Sequence, residues 1–423
     1  MMWVLPIVEY GGLMRTALFV LILALIAPGC ARRHCVPTEV AARKYVEIGC
    51  GAEAHAPVGP GRLREIEAEF QRRTAATAPP ARPYNFLALS GGGFYAPFGV
   101  GVVRGWTETG TRPAFDAVTG ISSGAMIATF AFLGPKYDDV LLEAAVGLER
   151  TDILRHRVPA ALPFASSLFT NRPIRRLIEK YITDEVVAEV AAAHAAGRRL
   201  YFGTTNVDTR KLVIWDMGAI ASRGTPEGSD LFRTVLLASA SVPLAFPPVR
   251  IPVEVDGCRY EELHVDGAAS DEVIFRPFMV SDLNRANGVA GAVAPAGSVL
   301  YVLVNGKIYA DPSCVPQRIF PLVSASFASV RYGKSRDELY RIYLNCLETG
   351  VSFRSTAIPQ DVRIEGDGPL GVSDASQQEF VRVGMAVGRR PGLAPEWRDL
   401  PAGTDPNEQT MPRSGTRFVT VPK

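Results

Sequence analysis

Three short stretches of this 423-residue chain carry residue types that could perform acyl-transfer chemistry. The first is Gly120-Ile121-Ser122-Ser123-Gly124. A serine serves as a nucleophile when a tight strand-to-helix turn holds its hydroxyl clear of the sheet edge. Such a turn demands small residues two places before and two places after the serine. Gly120 and Gly124 meet that demand, and the following helix would point the positive end of its dipole at Ser122. The second stretch is Gly91-Gly92-Gly93. Consecutive glycines can aim successive backbone N–H groups at one point, making a nest for an anion such as the oxyanion of a tetrahedral intermediate. The third is His264-Val265-Asp266-Gly267-Ala268. A carboxylate at a strand end, followed by glycine, suits a base held at the rim of a sheet, although an Asp-Gly turn without chemistry is common.

Two other chemistries compete for the same residues. Gly91-x-Gly93-x-x-Ala96 fits the dinucleotide fingerprint G-x-G-x-x-G/A after a strand. That fingerprint wants an acidic residue at the end of the next strand. Asp116 stands at that strand's start, and Gly120 and Ser122 stand at its end, so the oxyanion reading is preferred. A serine nucleophile usually takes its base from histidine, and the chain has His34, His55, His156, His194 and His264. Only His264 can close the order serine, acid, histidine, with Asp208, Asp216 or Asp230 as the acid. His264 and Asp266 alternate on one apparent strand, and the residues alone leave either of them open as the base.

The elements that must position these groups read as strands alternating with helices. Tyr84–Leu89 and Ala117–Thr119 are apolar runs of strand length, each followed by a glycine-containing turn and then by a helical segment, Pro97–Trp106 and Ala125–Leu133. Arg199–Thr205 and Lys211–Trp215 read as consecutive strands across an N-V-D-T turn. Arg250–Val255 and the strand that carries His264 and Asp266 read as a hairpin over Asp256-Gly257. Ser298–Val304 is apolar throughout, as in a strand buried on both faces. Thr183 caps a helix over Asp184–Ala196, and helices are expected over Pro173–Ile182, Leu231–Ser239, Pro321–Leu347 and Gln377–Val387. The fold class is α/β, a central, mostly parallel sheet flanked by helices.

The three motifs, in this order, resemble the patatin-like phospholipases. Further stretches share in the likeness: T-G-I-S-S-G-A-M-I-A-T-F-A-F-L-G around the serine, Gly203–Gly218, and A-S-A-S-V-P-L-A-F-P-P-V over Ala238–Val249. The resemblance covers about Arg82 to Arg389. It implies a patatin-like layered fold and a lipid acyl hydrolase with a Ser–Asp dyad. Ser122 is then the nucleophile and Asp266 its base. Gly91, Gly92 and Gly93 form the oxyanion hole, with the Ser123 N–H as an additional donor. No cofactor is needed. The glycine loop departs from the family pattern: Phe94-Tyr95-Ala96-Pro97 stand where a basic or polar residue and a further glycine are usual. The alternatives are a non-catalytic envelope protein that binds lipid and a Ser–His–acid esterase using His264.

Composition adds bounds. The formal net charge is +2, which gives no reason to expect nucleic acid as a partner, and no obligate protein partner is inferred. The substrate expected is a lipid or other ester at a membrane surface. Ala17–Ala27 is an apolar run behind Arg15, too short to span a bilayer and apt for a signal peptide. Small residues precede Cys30, as in a bacterial lipobox, so residues 1–30 are read as a signal peptide ending at a lipidated Cys30, with Met14 an alternative start to Met1. The organisation expected is 31–81 as a tether with one helix near Arg62–Thr74, 82–389 as the catalytic domain, and 390–423 as a loose tail. This places the protein in the cell envelope, exported and anchored. Cys35 and Cys50 are close enough in sequence to pair. No cysteine pair has zinc spacing, so no metal is expected.

Overall fold

Burial along Asn85–Leu89 shows how the layers form. Phe86 and Ala88 belong to one apolar cluster, and Leu87 and Leu89 to the other. This strand (β1) is therefore covered on both faces, which is the condition for a parallel sheet with helices on each side. The computed structural model describes residues 82–147, 153–156, 165–255, 257–311, 314–362, 374–390, 397–399 and 401. The readings made for the signal peptide, Cys30, Cys35, Cys50 and the helix near Arg62–Thr74 lie outside them.

After β1 come α1 (Pro97–Glu108), β2 (Ala117–Ile121), α2 (Ser123–Leu133) and α3 (Asp138–Gly147). A small ribbon of β3 (Arg155–His156) and β4 (Phe169–Thr170) precedes α4 (Arg172–Tyr181) and α5 (Asp184–Ala195). Then follow β5 (Arg199–Asn206), β6 (Lys211–Asp216), α6 (Met217–Ala221), α7 (Pro226–Ser239), β7 (Val249–Val255) and β8 (Cys258–Asp266). The chain continues with α8 (Pro277–Ala286), β9 (Val299–Val304), α9 (Ile319–Thr349), β10 (Ser352–Ala357) and α10 (Asp374–Gly388). The main sheet has the order β10-β9-β1-β2-β5-β8-β7, with β6 also on β5. Neighbours from β10 to β5 are parallel, and the hairpin strands β6, β7 and β8 bring the antiparallel pairs.

One face of the sheet carries Val118 and Phe202 and is covered by α1, α2, α7 and α10 through residues such as Trp106, Phe132, Phe232 and Phe380. The other carries Ile121, Tyr201 and Val302 and is covered by α8 and α9 through Met279, Leu283, Leu339 and Ile342. Helices α1 and α10 meet backbone to backbone. A Cβ on Gly101 would lie 2.3 Å from the Val381 carbonyl oxygen, and one on Gly384 would lie 2.1 Å from that of Phe98.

Three departures from the sequence reading have physical causes. Helix α7 begins at Pro226 rather than Leu231, because the Thr225 hydroxyl accepts the Gly228 N–H and sets an earlier N-terminus. Strand β10 reads S-F-R-S-T-A, too polar to register as a strand from sequence, yet it pairs with β9 along its whole length. Within the stretch read as a loose tail, Trp397 is buried against Trp106 and Tyr301, and Arg398 bridges Ser355 in antiparallel fashion. A tryptophan that fills an aromatic pocket outweighs the polar composition around it.

Candidate active site

Strand β5 determines where the site forms. Strand β2 pairs with it from Arg199 to Gly203, β8 pairs with it from Thr204 to Asn206, and β6 pairs with it from Tyr201 to Asn206. Since β6 overlaps both of the others in register, it occupies one edge of β5, and β2 and β8 share the other. They meet there tip to tip, β2 ending at Ile121 beside Gly203 and β8 ending at Asp266 opposite Thr204. The residue after β2 is Ser122. The topology alone therefore brings Ser122 and Asp266 together from positions far apart in sequence.

Ser122 sits between β2 and α2 with φ 55 and ψ −129. A non-glycine residue at positive φ is strained by roughly 1–3 kcal/mol, so its surroundings must hold it. The Ser122 N–H donates to Ser239 Oγ at 2.9 Å, and that hydroxyl donates to the Gly203 carbonyl at 2.7 Å. The Ser122 carbonyl accepts the Ala125 N–H at 2.9 Å. The glycines on either side are sterically required: a Cβ on Gly120 would lie 2.6 Å from Ala125 Cα, and one on Gly124 would lie 2.3 Å from the Ser90 carbonyl oxygen. Ser122 is 6% exposed.

The glycine loop lies against this serine. A Cβ on Gly91 would be 3.2 Å from Ser122 Cβ and 3.7 Å from Ala268 Cβ, so Gly91 fills the space between the serine and the turn after Asp266. Asn305, at the end of β9, anchors the loop. Its N–H donates to Ser90 Oγ and its side-chain amide donates to the Ser90 carbonyl, both at 2.8 Å. Gly93 has φ 54, a conformation that glycine adopts without strain. The Gly91 N–H does not face the serine as expected for an oxyanion donor; it donates to the Glu272 carbonyl at 3.0 Å. Arriving from β1, Gly91 still bonds sideways in strand fashion. Gly92 and Gly93 N–H form no such bond among the described residues, and the Ser123 N–H is at the start of α2, where helix N–H groups lack intrahelical partners.

Asp266 is buried at the tip of β8. Its Oδ1 accepts the Ala268 N–H at 2.8 Å, while Oδ2 is buried and forms no complete hydrogen bond. Burial pushes its pKa up to about 7. The neighbouring Ser122 hydroxyl is the strongest influence pulling it back down, followed by the Ala268 N–H; Glu272 adds a small upward push and Lys334 a downward one. Ser122 thus lies near enough to act on Asp266, though the pair stops short of full hydrogen-bond geometry, a looseness common in unliganded sites. A strand-tip serine, a glycine loop packed on it and a buried strand-tip carboxylate converge at one point.

Residues 87–279 match the family model for patatin-like phospholipases, and all three motifs lie inside that range. This chain carries a patatin-like phospholipase domain. The domain is that of a lipid-hydrolysing enzyme. No curated protein matches the sequence. Among solved structures, VipD from Legionella pneumophila is similar at 11% identity and a TM-score of 0.34, over 72% of this chain and 67% of that one. Human GIVD cytosolic phospholipase A2 is similar at 11% identity and a TM-score of 0.30, over 77% of this chain and 55% of that one. Both likenesses are distant.

The residues that the competing readings would use have partners elsewhere in the fold. His264 is fully buried, with Nδ1 2.9 Å from Thr204 Oγ1 and Nε2 3.1 Å from Glu262 Oε2. Both ring nitrogens are engaged, and Trp215 packs beside the ring. Asp116, the candidate ribose ligand, is at the far end of β2, where it accepts from Arg82 and from the Asn85 N–H. Asp208 accepts the Leu263 N–H in its turn, as its sequence context implies. Tyr95, the departure in the glycine loop, is buried against Phe380. Among the described residues no cluster of His, Cys, Asp and Glu could hold a metal, and Cys258, Cys314 and Cys346 are unpaired.

Sequence reasoning missed the supports. Ser239, Ser90 and Asn305 touch the serine turn or the glycine loop; Ser90 opens the S-G-G-G motif and Ser239 lies in the Ala238–Val249 stretch, yet the sequence reading gave none of the three a role. Asn305 carried a signal: it is the first polar residue after the apolar run V-L-Y-V-L-V. Ser239→Ala would leave the Ser122 N–H and the Gly203 carbonyl unpaired in the interior. Each unsatisfied buried group costs about 1–3 kcal/mol, so this variant is expected to lower the urea midpoint measurably and, through the strained elbow, to reduce turnover about tenfold.

Proposed function

We propose that this protein is a serine acyl hydrolase that cleaves lipid esters through a Ser122–Asp266 dyad. The tip-to-tip meeting of β2 and β8 on one edge of β5 carries the reading, because it brings Ser122 near a buried carboxylate while His264, two residues away on β8, is engaged by Thr204 and Glu262. Ser122 Oγ attacks the ester carbonyl carbon while its proton passes to Asp266. The carbonyl oxygen becomes an oxyanion held by the N–H groups of Gly92, Gly93 and Ser123, the dipole of α2 adding to their field. Collapse of this intermediate breaks the acyl–oxygen bond, and Asp266 returns the proton to the departing alcohol. Water then attacks the acyl-enzyme, giving its proton to Asp266, and collapse of this second intermediate breaks the acyl bond to Ser122 Oγ, to which Asp266 returns the proton as the acid leaves. The proposed catalytic domain runs from 82 to 389, and every group in this scheme belongs to the chain itself.

Fluorophosphonate labelling tests the reading directly. The parent protein should label at Ser122, Ser122→Ala should not, and Asp266→Asn should label far more slowly. A folded parent that fails to label would leave a non-catalytic lipid-binding protein as the better reading. Labelling that survives intact in Asp266→Asn and disappears in His264→Ala would return the base to His264.

The proposal extends to location. Residues 1–30 are proposed to direct export, and Cys30 to carry lipid that ties the domain to the envelope through the 31–81 tether. Cells fed labelled palmitate should incorporate it into the parent, and Cys30→Ala should abolish incorporation.

A further inference from the structure

Helix α9 changes character along its length. From Ser335 onward Leu339, Ile342 and Cys346 are buried against the sheet, with Tyr340, Leu344 and Leu347 about half exposed on the outer side. Before Gly333 the arrangement is inverted. Among the positions whose burial is described, the partly covered ones are the small residues Pro321, Ala325 and Ala328, while Ile319, Leu322, Val323, Phe327 and Val330 face outward. Phe327 is 71% exposed. The outward residues follow helical spacing and make one continuous stripe. Large side chains turned to water with small ones turned inward is the reverse of what core packing would select, and so large an apolar patch marks a surface built for a partner.

We propose that this stripe is a docking face for an anionic lipid surface. The proposal rests on the reading of the domain as a lipid ester hydrolase. Charge selects this occupant. Residues 319–330 contain no ionisable group and are bracketed by Arg318 and Arg331, while further along Lys334 pairs with Glu338 and Arg336 packs on Tyr309. Apolar residues bracketed by arginine form the pattern of a helix that sinks into the headgroup boundary. A symmetric contact with a second copy would instead press these cations on one another. The helix also satisfies its own polar groups: Ser326 Oγ donates to the Leu322 carbonyl at 2.8 Å and Ser329 Oγ to that of Ala325 at 2.9 Å, as a nonaqueous environment requires. At about 1.5 Å per residue the stripe is far shorter than a bilayer core of about 30 Å. No helix among the described residues is long and apolar enough to cross a membrane. The stripe therefore lies on the surface rather than passing through it.

The face is next to the site. One turn beyond Val330, Lys334 Nζ donates to the Ala268 carbonyl at 2.9 Å, in the turn that Asp266 caps. Across Asp266, whose N–H donates to the Ser241 carbonyl, Leu244 is 80% exposed at φ 68 and its carbonyl accepts the Leu168 N–H. Exposed apolar residues thus attach to the Asp266 turn from both directions, and docking through them would present the dyad to the lipid layer.

Hydrogen exchange of the full chain, read over peptides spanning 319–333, tests this with vesicles of phosphatidylglycerol or of phosphatidylcholine. Exchange is expected to slow at least about fivefold with phosphatidylglycerol and much less with phosphatidylcholine, and Leu322→Asp with Phe327→Asp is expected to abolish the slowing. Peptides elsewhere should exchange alike in parent and double variant without vesicles, which verifies the fold. Unchanged exchange over 319–333 with phosphatidylglycerol vesicles overturns the proposal. So does slowing that appears without vesicles as protein concentration rises, which would assign the face to a second copy. Turnover of a soluble short-chain ester, measured in the same samples, should be equal in parent and double variant. Its absence from the parent would defeat the hydrolase reading while leaving the exchange result to decide the docking face.

Discussion

Replacing Asp266 with asparagine is expected to lower ester turnover by at least about a thousandfold and, above pH 7, to make the protein more stable than its parent. The two effects share one cause. Burial holds the Asp266 pKa up to about 7, so the folded chain resists ionising it and the unfolded chain does not. An acid whose folded pKa is raised contributes full stability below its unfolded pKa near 4, loses it as pH climbs, and beyond the folded pKa carries the whole penalty, which is at most about 4 kcal/mol for this shift. Asparagine does not ionise. Its oxygen can still accept the Ala268 N–H that Oδ1 now accepts, so the penalty goes and the anchoring bond stays. Urea midpoints of parent and Asp266→Asn should converge toward pH 4 and be furthest apart above pH 7, the variant being higher. Turnover by the parent should rise with pH up to about 7 and then level off, since only the ionised carboxylate accepts the serine proton. Glu338, also buried and pushed up to about 7, could mimic that profile. Its Oε2 accepts the Glu272 and Val273 N–H groups and does not reach Ser122. Glu338→Gln should therefore keep the limb near pH 7. A limb lost in Glu338→Gln would move the titration away from Asp266.

The parts of this site that were legible in the sequence are those where a residue type is forced by backbone geometry. Gly120 and Gly124 leave room for no side chain, and Gly93 takes a positive φ; such demands write themselves into the chain as glycine. The strands β1, β2 and β9 were legible because their faces are largely buried and their residues mostly apolar, β9 reading V-L-Y-V-L-V without a break. Long-range agreements left no local mark. The Ser239 hydroxyl bonds the Ser122 N–H only because α7 returns to the tip of β2, and no spacing in the sequence encodes that. The choice between His264 and Asp266 was likewise undecidable from a strand that carries both. Their separation depends on Thr204 and Glu262 occupying the imidazole, with Thr204 contributed by a different strand. The use of the Gly91 N–H by Glu272 was hidden for the same reason: the two residues are neighbours only in the folded sheet.

Gly92 offers the sharpest test of the oxyanion hole. Adding one methyl group there should reduce kcat at least about a thousandfold with little change in KM, because the affected donors act on charge that develops in the transition state. A Cβ on Gly92 would lie 2.2 Å from the Asn305 carbonyl oxygen and 2.5 Å from Asn305 Cβ. Neither neighbour has room to yield. The Asn305 backbone is tied to Ser90 through its N–H, and the next residue is tied to Ile358 by the bond from the Ile358 N–H to the Gly306 carbonyl. The glycine loop must therefore move, carrying the N–H groups of Gly92 and Gly93 away from the place where the proposed hole would hold the oxyanion. Loss of one such donor costs roughly a hundredfold or more in rate, and here two are displaced together. Ser122 itself is held by Ser239 and Ala125 rather than by the loop, so a fluorophosphonate should still label Gly92→Ala, more slowly than the parent. Gly306→Ala is the matched control: its Cβ would meet only Tyr95 Cδ2 at 3.7 Å, an ordinary contact, and it should turn over ester within about twofold of the parent. Parental kcat in Gly92→Ala would show that the loop does not stabilise the oxyanion, and the Ser123 N–H with the α2 dipole would then have to carry that charge.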